Sequence, residues 1–168
     1  ADNYWAATTG REALKVDWDL GENASLDSKA LFAEYKKLAA TTGLIAAKAG
    51  DNKTAMAKAE KFVEAEYALP YLAHSPMEPL NCAVKIEKDG CEIWTGTQMQ
   101  GTDQAAAAKI LGLKPEQVKI HTLFLGGGFG RRANPAADFV SEAVQVAKAA
   151  GVPVKTVWSR EDDVKGGY

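Results

Sequence analysis

Apolar and polar positions alternate on both sides of Asp89-Gly90, and this is the clearest structural pattern in the chain. Alternation sends successive side chains to opposite faces of a strand. Cys82–Glu87 and Cys91–Thr95 therefore read as a hairpin turning at Asp89-Gly90, the strongest short turn signal present. Val84, Ile86, Cys91 and Ile93 share one face, and Trp94 points to the other. Elsewhere the period becomes helical. Leu31, Tyr35 and Leu38 recur at i, i+4, i+7 in a helix that Asp27 or Ser25 can cap and that runs to Thr41.

The remaining elements follow from punctuation and shorter patterns. Residues 4–14 read as a helix running into a short strand, Lys15–Trp18, before a polar turn over 19–25. Residues 41–53 are loose, and Lys53–Ala59 makes one or two helical turns. Phe62–Leu69 partly alternates and reads as a strand ending before Pro70. Thr102 or Asp103 caps a helix through Leu111 that Gly112 closes. Val118–Leu125 is a strand, Pro135 opens a helix to Ala150 with Gly151 after it, and Val154–Trp158 is a last strand. Helices and strands interleave without a strict βαβ period, so the expected fold is α+β: a mixed, layered sheet with packed helices.

Composition narrows the function. The chain has 168 residues, a formal charge of −2 and 46% hydrophobic content, ordinary for a soluble globular domain and without the basic excess of a nucleic-acid binder. No apolar run approaches the roughly 20 residues of a membrane-spanning helix. No initiator Met or signal peptide opens the chain, and it reads as a piece of a longer protein. In the hairpin register that places Cys91 opposite Lys88, Cys82 and Cys91 lie about 20 Å apart. Both are expected to be free thiols, and two are too few for an iron–sulfur cluster.

The candidate chemistry sits in Gly126-Gly127-Gly128-Phe129-Gly130-Arg131-Arg132. Consecutive glycines allow positive φ and bring bare N–H groups against a ligand. A P-loop reading fails because no Lys-Ser or Lys-Thr follows, and a dinucleotide fingerprint fails because Arg131 stands where the third glycine belongs. A purely structural glycine turn is the alternative.

Three motifs occur in order: His74-Ser75-Pro76-Met77-Glu78-Pro79, Thr95-Gly96-Thr97-Gln98, and the glycine loop. Together they resemble the molybdenum-binding large subunit of the xanthine dehydrogenase and aldehyde oxidase family. The arginine pair, Tyr4-Trp5-Ala6-Ala7 and Arg160-Glu161-Asp162-Asp163 look most like its isoquinoline 1-oxidoreductase beta branch. The resemblance covers nearly the whole chain: residues 1–70 as an N-terminal portion, 71–168 as a core carrying the motifs, all within one molybdopterin-binding fragment.

The resemblance implies a molybdenum–molybdopterin cofactor, commonly of the cytosine dinucleotide form, whose dithiolene holds the metal so that the protein need not. It implies that Gln98 donates its amide to an oxo ligand, and that Gly127, Gly128, Phe129 and Gly130 press on the metal centre while Phe129 excludes water. Arg131, with Arg132, could clamp cofactor phosphates or a partner's acidic edge, or form a solvated loop pair. His74 and Glu78 are expected to shape a rigid turn and satisfy backbone groups rather than act as acid and base. Arg160–Asp163 is expected to start a capped helix at the surface.

The implied reaction is R–H + H2O → R–OH with two electrons, on an N-heterocycle or an aldehyde. The electrons would leave through a small [2Fe-2S] partner subunit. Two departures stand out. Ala133 takes a place where other members carry a substrate-contacting glutamate, and the family's catalytic glutamate lies beyond this chain. No residue here is nominated as catalytic, and the fragment alone is expected to be inactive. The compartment stays open between periplasm and cytoplasm, with export of relatives leaning towards the periplasm. A non-catalytic binding or assembly module is the competing reading. It lets Gln98 and the loop amides point apart, whereas the enzyme reading requires them to converge.

Overall fold

The computed structural model describes residues 1–166, so the last two positions of the expected 71–168 core fall outside the described residues. The chain divides into two compact units, 1–65 and 66–168.

The first unit is helical. It comprises α1 (Tyr4–Glu12), a 3-10 turn over Gly21–Ser25, α2 (Ser28–Ala39) and α3 (Asn52–Ala57). Local chemistry starts each helix. Asn3, Asp27 and Asp51 accept the N–H groups of Ala6, Ala30 and Thr54, satisfying donors that a first helical turn leaves open. No residue of these helices is buried. The expected strand Lys15–Trp18 does not form. Nor does Phe62–Leu69, which is irregular across the boundary between the units. Alternation alone does not make a strand; a neighbour must complete its backbone hydrogen bonds, and neither segment has one among the described residues.

The second unit is the sheet and its helices. β1 (Asn81–Glu87), β2 (Gly90–Thr95), β3 (Val118–Thr122) and β4 (Val154–Val157) lie in the order β3-β2-β1-β4. The β2–β3 pair is parallel and the other two pairs are antiparallel. The crossover that a parallel pair needs is α4 (Gln100–Leu111). α5 (Asp138–Ala150) joins β3 to β4, and α6 (Arg160–Lys165) follows. The architecture is α+β, as expected. Cys82, Val84, Cys91, Ile93 and Val118 meet Phe139, Val140, Ala143, Val144 and Ala147 of α5 in one core. The α5 set repeats at helical spacing, and each large side chain buried there contributes roughly 1.5–3 kcal/mol. Ala107 and Ala108 of α4 join the same core.

Four details correct the sequence reading. The hairpin turns on Lys88-Asp89, with Cys82 opposite Thr95 and Ile86 opposite Cys91. Faces are preserved, but the cysteines are offset by four residues, about 13 Å; both thiols are free and buried. Gly90 is kept by a close approach, since a Cβ there would lie 3.0 Å from the Gln117 carbonyl oxygen. α5 begins at Asp138, because Asn134 accepts the Ala136 N–H on its side chain and the Ala137 N–H on its carbonyl, making Pro135-Ala136 a turn. α4 begins at Gln100, so Thr102 and Asp103 lie inside it rather than capping it. β3 stops at Thr122, three residues before Leu125.

Candidate cofactor-binding site

The glycine loop leaves β3 through Leu123, whose N–H donates to the Thr95 carbonyl at 2.9 Å and keeps the chain beside β2. Beyond it, three consecutive carbonyls turn inward. Gly126 O accepts from the Glu78 N–H at 3.1 Å, Gly127 O from Arg132 Nε at 2.9 Å, and Gly128 O from the Arg131 N–H at 2.9 Å. In a planar trans peptide the C=O and the next N–H point opposite ways. No peptide in the chain is cis. Each inward carbonyl therefore sets the following amide outward: Gly127, Gly128 and Phe129. None of these three N–H groups finds an acceptor among the described residues.

Backbone conformation makes the arrangement possible. Gly127 and Gly130 have φ of 103° and 96°, where a side chain is strained. Phe129 has φ 54° and is 75% exposed, a conformation costing about 1–3 kcal/mol for a non-glycine residue. Successive backbone N–H groups left without acceptors in such a turn are a donor set that can accept an anion.

Gln98 meets this loop. Its N–H donates to the Arg132 carbonyl at 3.0 Å. Its side chain packs on Gly128, where a Cβ would stand 2.6 Å from Gln98 Oε1. The Thr97 hydroxyl donates to the buried Asp103 carboxyl and accepts the Met99 N–H, closing the turn that carries Gln98. Burial pushes the Asp103 carboxyl above its usual range, and the Thr97 hydrogen bond partly opposes this.

The 74–79 segment supports the loop from the other side. Glu78 accepts the Gly126 N–H at 3.0 Å and Asn81 Nδ2 at 2.9 Å, so it satisfies backbone as expected. Burial raises the Glu78 carboxyl. Hydrogen bonds from Asn81 and Gly126 and the charge of Arg132 outweigh it, so the group sits below its ordinary range. Arg160 donates to Ser75 Oγ and to the carbonyls of Pro76 and Met77. His74 lies beside Gly130, its Nε2 3.9 Å from where a Cβ would be.

The arginine pair is not a solvated one. Arg131 and Arg132 are each 1% exposed. Arg131 pairs with Asp138 at 2.8 Å and lies over the Trp158 ring, so its guanidinium has no surface to offer a phosphate; its main-chain N–H supports the loop. Ser159 caps α6 as expected, but Asp163 in that helix is buried against Arg160 rather than at the surface. Sequence reasoning did not find Arg132, Asp103 or Asp163 as buried charges, because nothing local distinguishes a buried arginine from an exposed one.

The donor set is three outward amides, the Gln98 carboxamide and no carboxylate left over in the loop. It fits a cofactor that presents oxygens and brings its own metal ligands. Among the described residues no group of three His, Cys, Asp or Glu side chains could hold a metal ion.

The beta subunit of isoquinoline 1-oxidoreductase from Brevundimonas diminuta is 44% identical over 92 residues, 54% of this chain and 12% of that protein. The membrane-bound aldehyde dehydrogenase [pyrroloquinoline-quinone] of Gluconacetobacter polyoxogenes is 32% identical over 169 residues, covering 98% of this chain and 22% of its own length. The chain thus spans less than a quarter of either relative. Quinoline 2-oxidoreductase from Pseudomonas putida 86 shares the fold over 67% of this chain and 14% of its own, with a TM-score of 0.58 at 20% identity. The molybdopterin cofactor-binding domain pattern matches residues 35–167, and the chain belongs to that family.

Proposed function

We propose that residues 1–168 contribute a cofactor-binding segment to a molybdenum hydroxylase that oxidises N-heterocycles or aldehydes with water as the oxygen source. The observation that carries the reading is that the Gly127, Gly128 and Phe129 N–H groups find no acceptor among the described residues while the Gln98 side chain packs on Gly128 beside them. When bound, the molybdopterin cofactor, in its cytosine dinucleotide form, supplies two-electron redox chemistry at molybdenum. The chain's own residues bind and orient it. The loop amides donate to polar atoms of the centre, and Gln98 adds a neutral donor that steadies an oxygen without adding charge. The exposed Phe129 ring covers the centre and excludes water. Arg131 acts through the main chain, as part of the frame. The base and the substrate pocket come from elsewhere in the protein, and electrons pass to iron–sulfur clusters on a small partner subunit. Residues 1–168 alone are expected to show no turnover.

The test is molybdenum and pterin content of the full-length protein carrying this segment, with activity on isoquinoline and an aldehyde, for wild type, Gln98→Ala and Phe129→Ala. Molybdenum and pterin in the wild type, with activity lost in both folded variants, is the expected result. A folded, active wild type that contains pyrroloquinoline quinone and no molybdenum would overturn the proposal. A folded protein with neither cofactor would favour an assembly module.

A further inference from the structure

Arg132 donates four side-chain hydrogen bonds. Its Nε donates to Gly127 O at 2.9 Å, Nη1 to Gly96 O at 3.1 Å, and Nη2 to Glu78 O at 2.9 Å and Glu78 Oε2 at 2.8 Å. These four acceptors belong to three separate segments: the glycine loop, the turn that carries Gln98, and the 74–79 turn. The guanidinium is buried, with its side chain 0% exposed against 38% for Glu78. Gly96 lies close against it, since a Cβ there would stand 3.4 Å from Nη1 and 3.2 Å from Leu125 Cγ.

We propose that Arg132 is the positioning residue of the cofactor site, setting the outward direction of the Gly128 amide and the place of Gln98 together. The inference rests on the function proposed above. Its physical basis is the Gly127–Gly128 peptide. With Gly127 O held by Nε, the Gly128 N–H can only face outward; released, the flexible Gly-Gly pair can flip the plane and lose that donor. The Gly96 contact fixes the same guanidinium to the Gln98 turn and the Glu78 contacts fix it to the 74–79 turn, so a shift of the guanidinium moves the loop and Gln98 together. Glu78 completes the frame by accepting the Gly126 N–H while pairing with Arg132. A planar fork with five donors can do this, whereas a lysine ammonium donates from one point.

The experiment uses the full-length, cofactor-loaded protein as wild type, Arg132→Lys and Glu78→Gln. Molybdenum and pterin content are measured, with hydrogen exchange of peptides spanning 124–133 and 81–95. Arg132→Lys keeps the buried charge, so the hairpin is expected to stay protected. Cofactor retention is expected to fall about tenfold, in line with the loss of a supporting contact around a metal site. Faster exchange should be confined to 124–133, with Glu78→Gln showing the same pattern more weakly. A folded Arg132→Lys that retains wild-type cofactor and loop protection would overturn the inference. Loss of hairpin protection in both variants would also overturn it, by making Arg132 a support of the whole fold. A wild type without molybdenum or pterin defeats the proposed function, and that failure is visible before any variant is compared.

Discussion

Gly128→Ala separates the site from the fold more sharply than any other single change. Its φ is not in the left-handed region, so alanine meets no backbone strain there. The new Cβ would stand 2.6 Å from Gln98 Oε1 and 2.9 Å from Cδ, whereas ordinary contact begins at 3.4 Å. The Gln98 carboxamide must therefore retreat by 0.8 Å or more. Gln98 is exposed, and its flexible end can rotate away. The stability cost is expected to stay within about 1 kcal/mol, a few degrees in Tm for a unit of this size. Function has no such tolerance. Displacement of a positioned donor by about 1 Å can cost about 100-fold in rate. Thermal unfolding and kcat of the full-length loaded protein should thus diverge, with Tm nearly unchanged and kcat down at least tenfold. Gly128→Ala with wild-type kcat would refute the claim that Gln98 is placed by contact with Gly128 to serve the site.

Three further outcomes follow from the same geometry. Gly126→Ala should instead cost stability, because its Cβ would fall 2.3 Å from Glu78 Cβ and 3.3 Å from Glu78 N, atoms no rotamer change can move; a loss of about 1–3 kcal/mol by denaturant unfolding is expected. Burial pushes the Cys82 thiol up to about 12 and Cys91 up to about 11, so neither should react with iodoacetamide at pH 8 until denaturant is added. Glu78 has a depressed folded value, so its contribution is complete above its ordinary value near 4.5 and disappears as pH falls through the lower folded value. Below that window loop protection in hydrogen exchange should fall in wild type, and Glu78→Gln should show a flatter dependence.

Much of the sheet unit was legible because its signals are local. The β1–β2 faces follow from a period of two, the α5 face from helical spacing, and the ends of α4 and α5 from Gly112 and Gly151 at φ 72° and 66°. The glycine loop stood out because few other roles require Gly-Gly-Gly. What escaped was non-local. Gly90 looked like a turn residue, but its small size serves the distant Gln117 carbonyl. Phe62–Leu69 has a strand's pattern and, among the described residues, no neighbouring strand to pair with. Arg132 donates to residues 5, 36 and 54 positions away, contacts that no window along the sequence contains. Glu78 was read correctly as a backbone support, though its acceptance of the Gly126 N–H, 48 residues on, was not foreseen. The frame of the site is long-range, and the groups it presents are short-range; only the second kind leaves a motif.

The most direct measurement is an experimental structure of the full-length protein with its native cofactor bound. The account expects the N–H groups of Gly127, Gly128 and Phe129 and the Gln98 carboxamide within about 3.2 Å of cofactor oxygen or sulfur atoms, with Arg132 still on Gly127 O. A bound cofactor that leaves these amides facing solvent or another protein segment would contradict it.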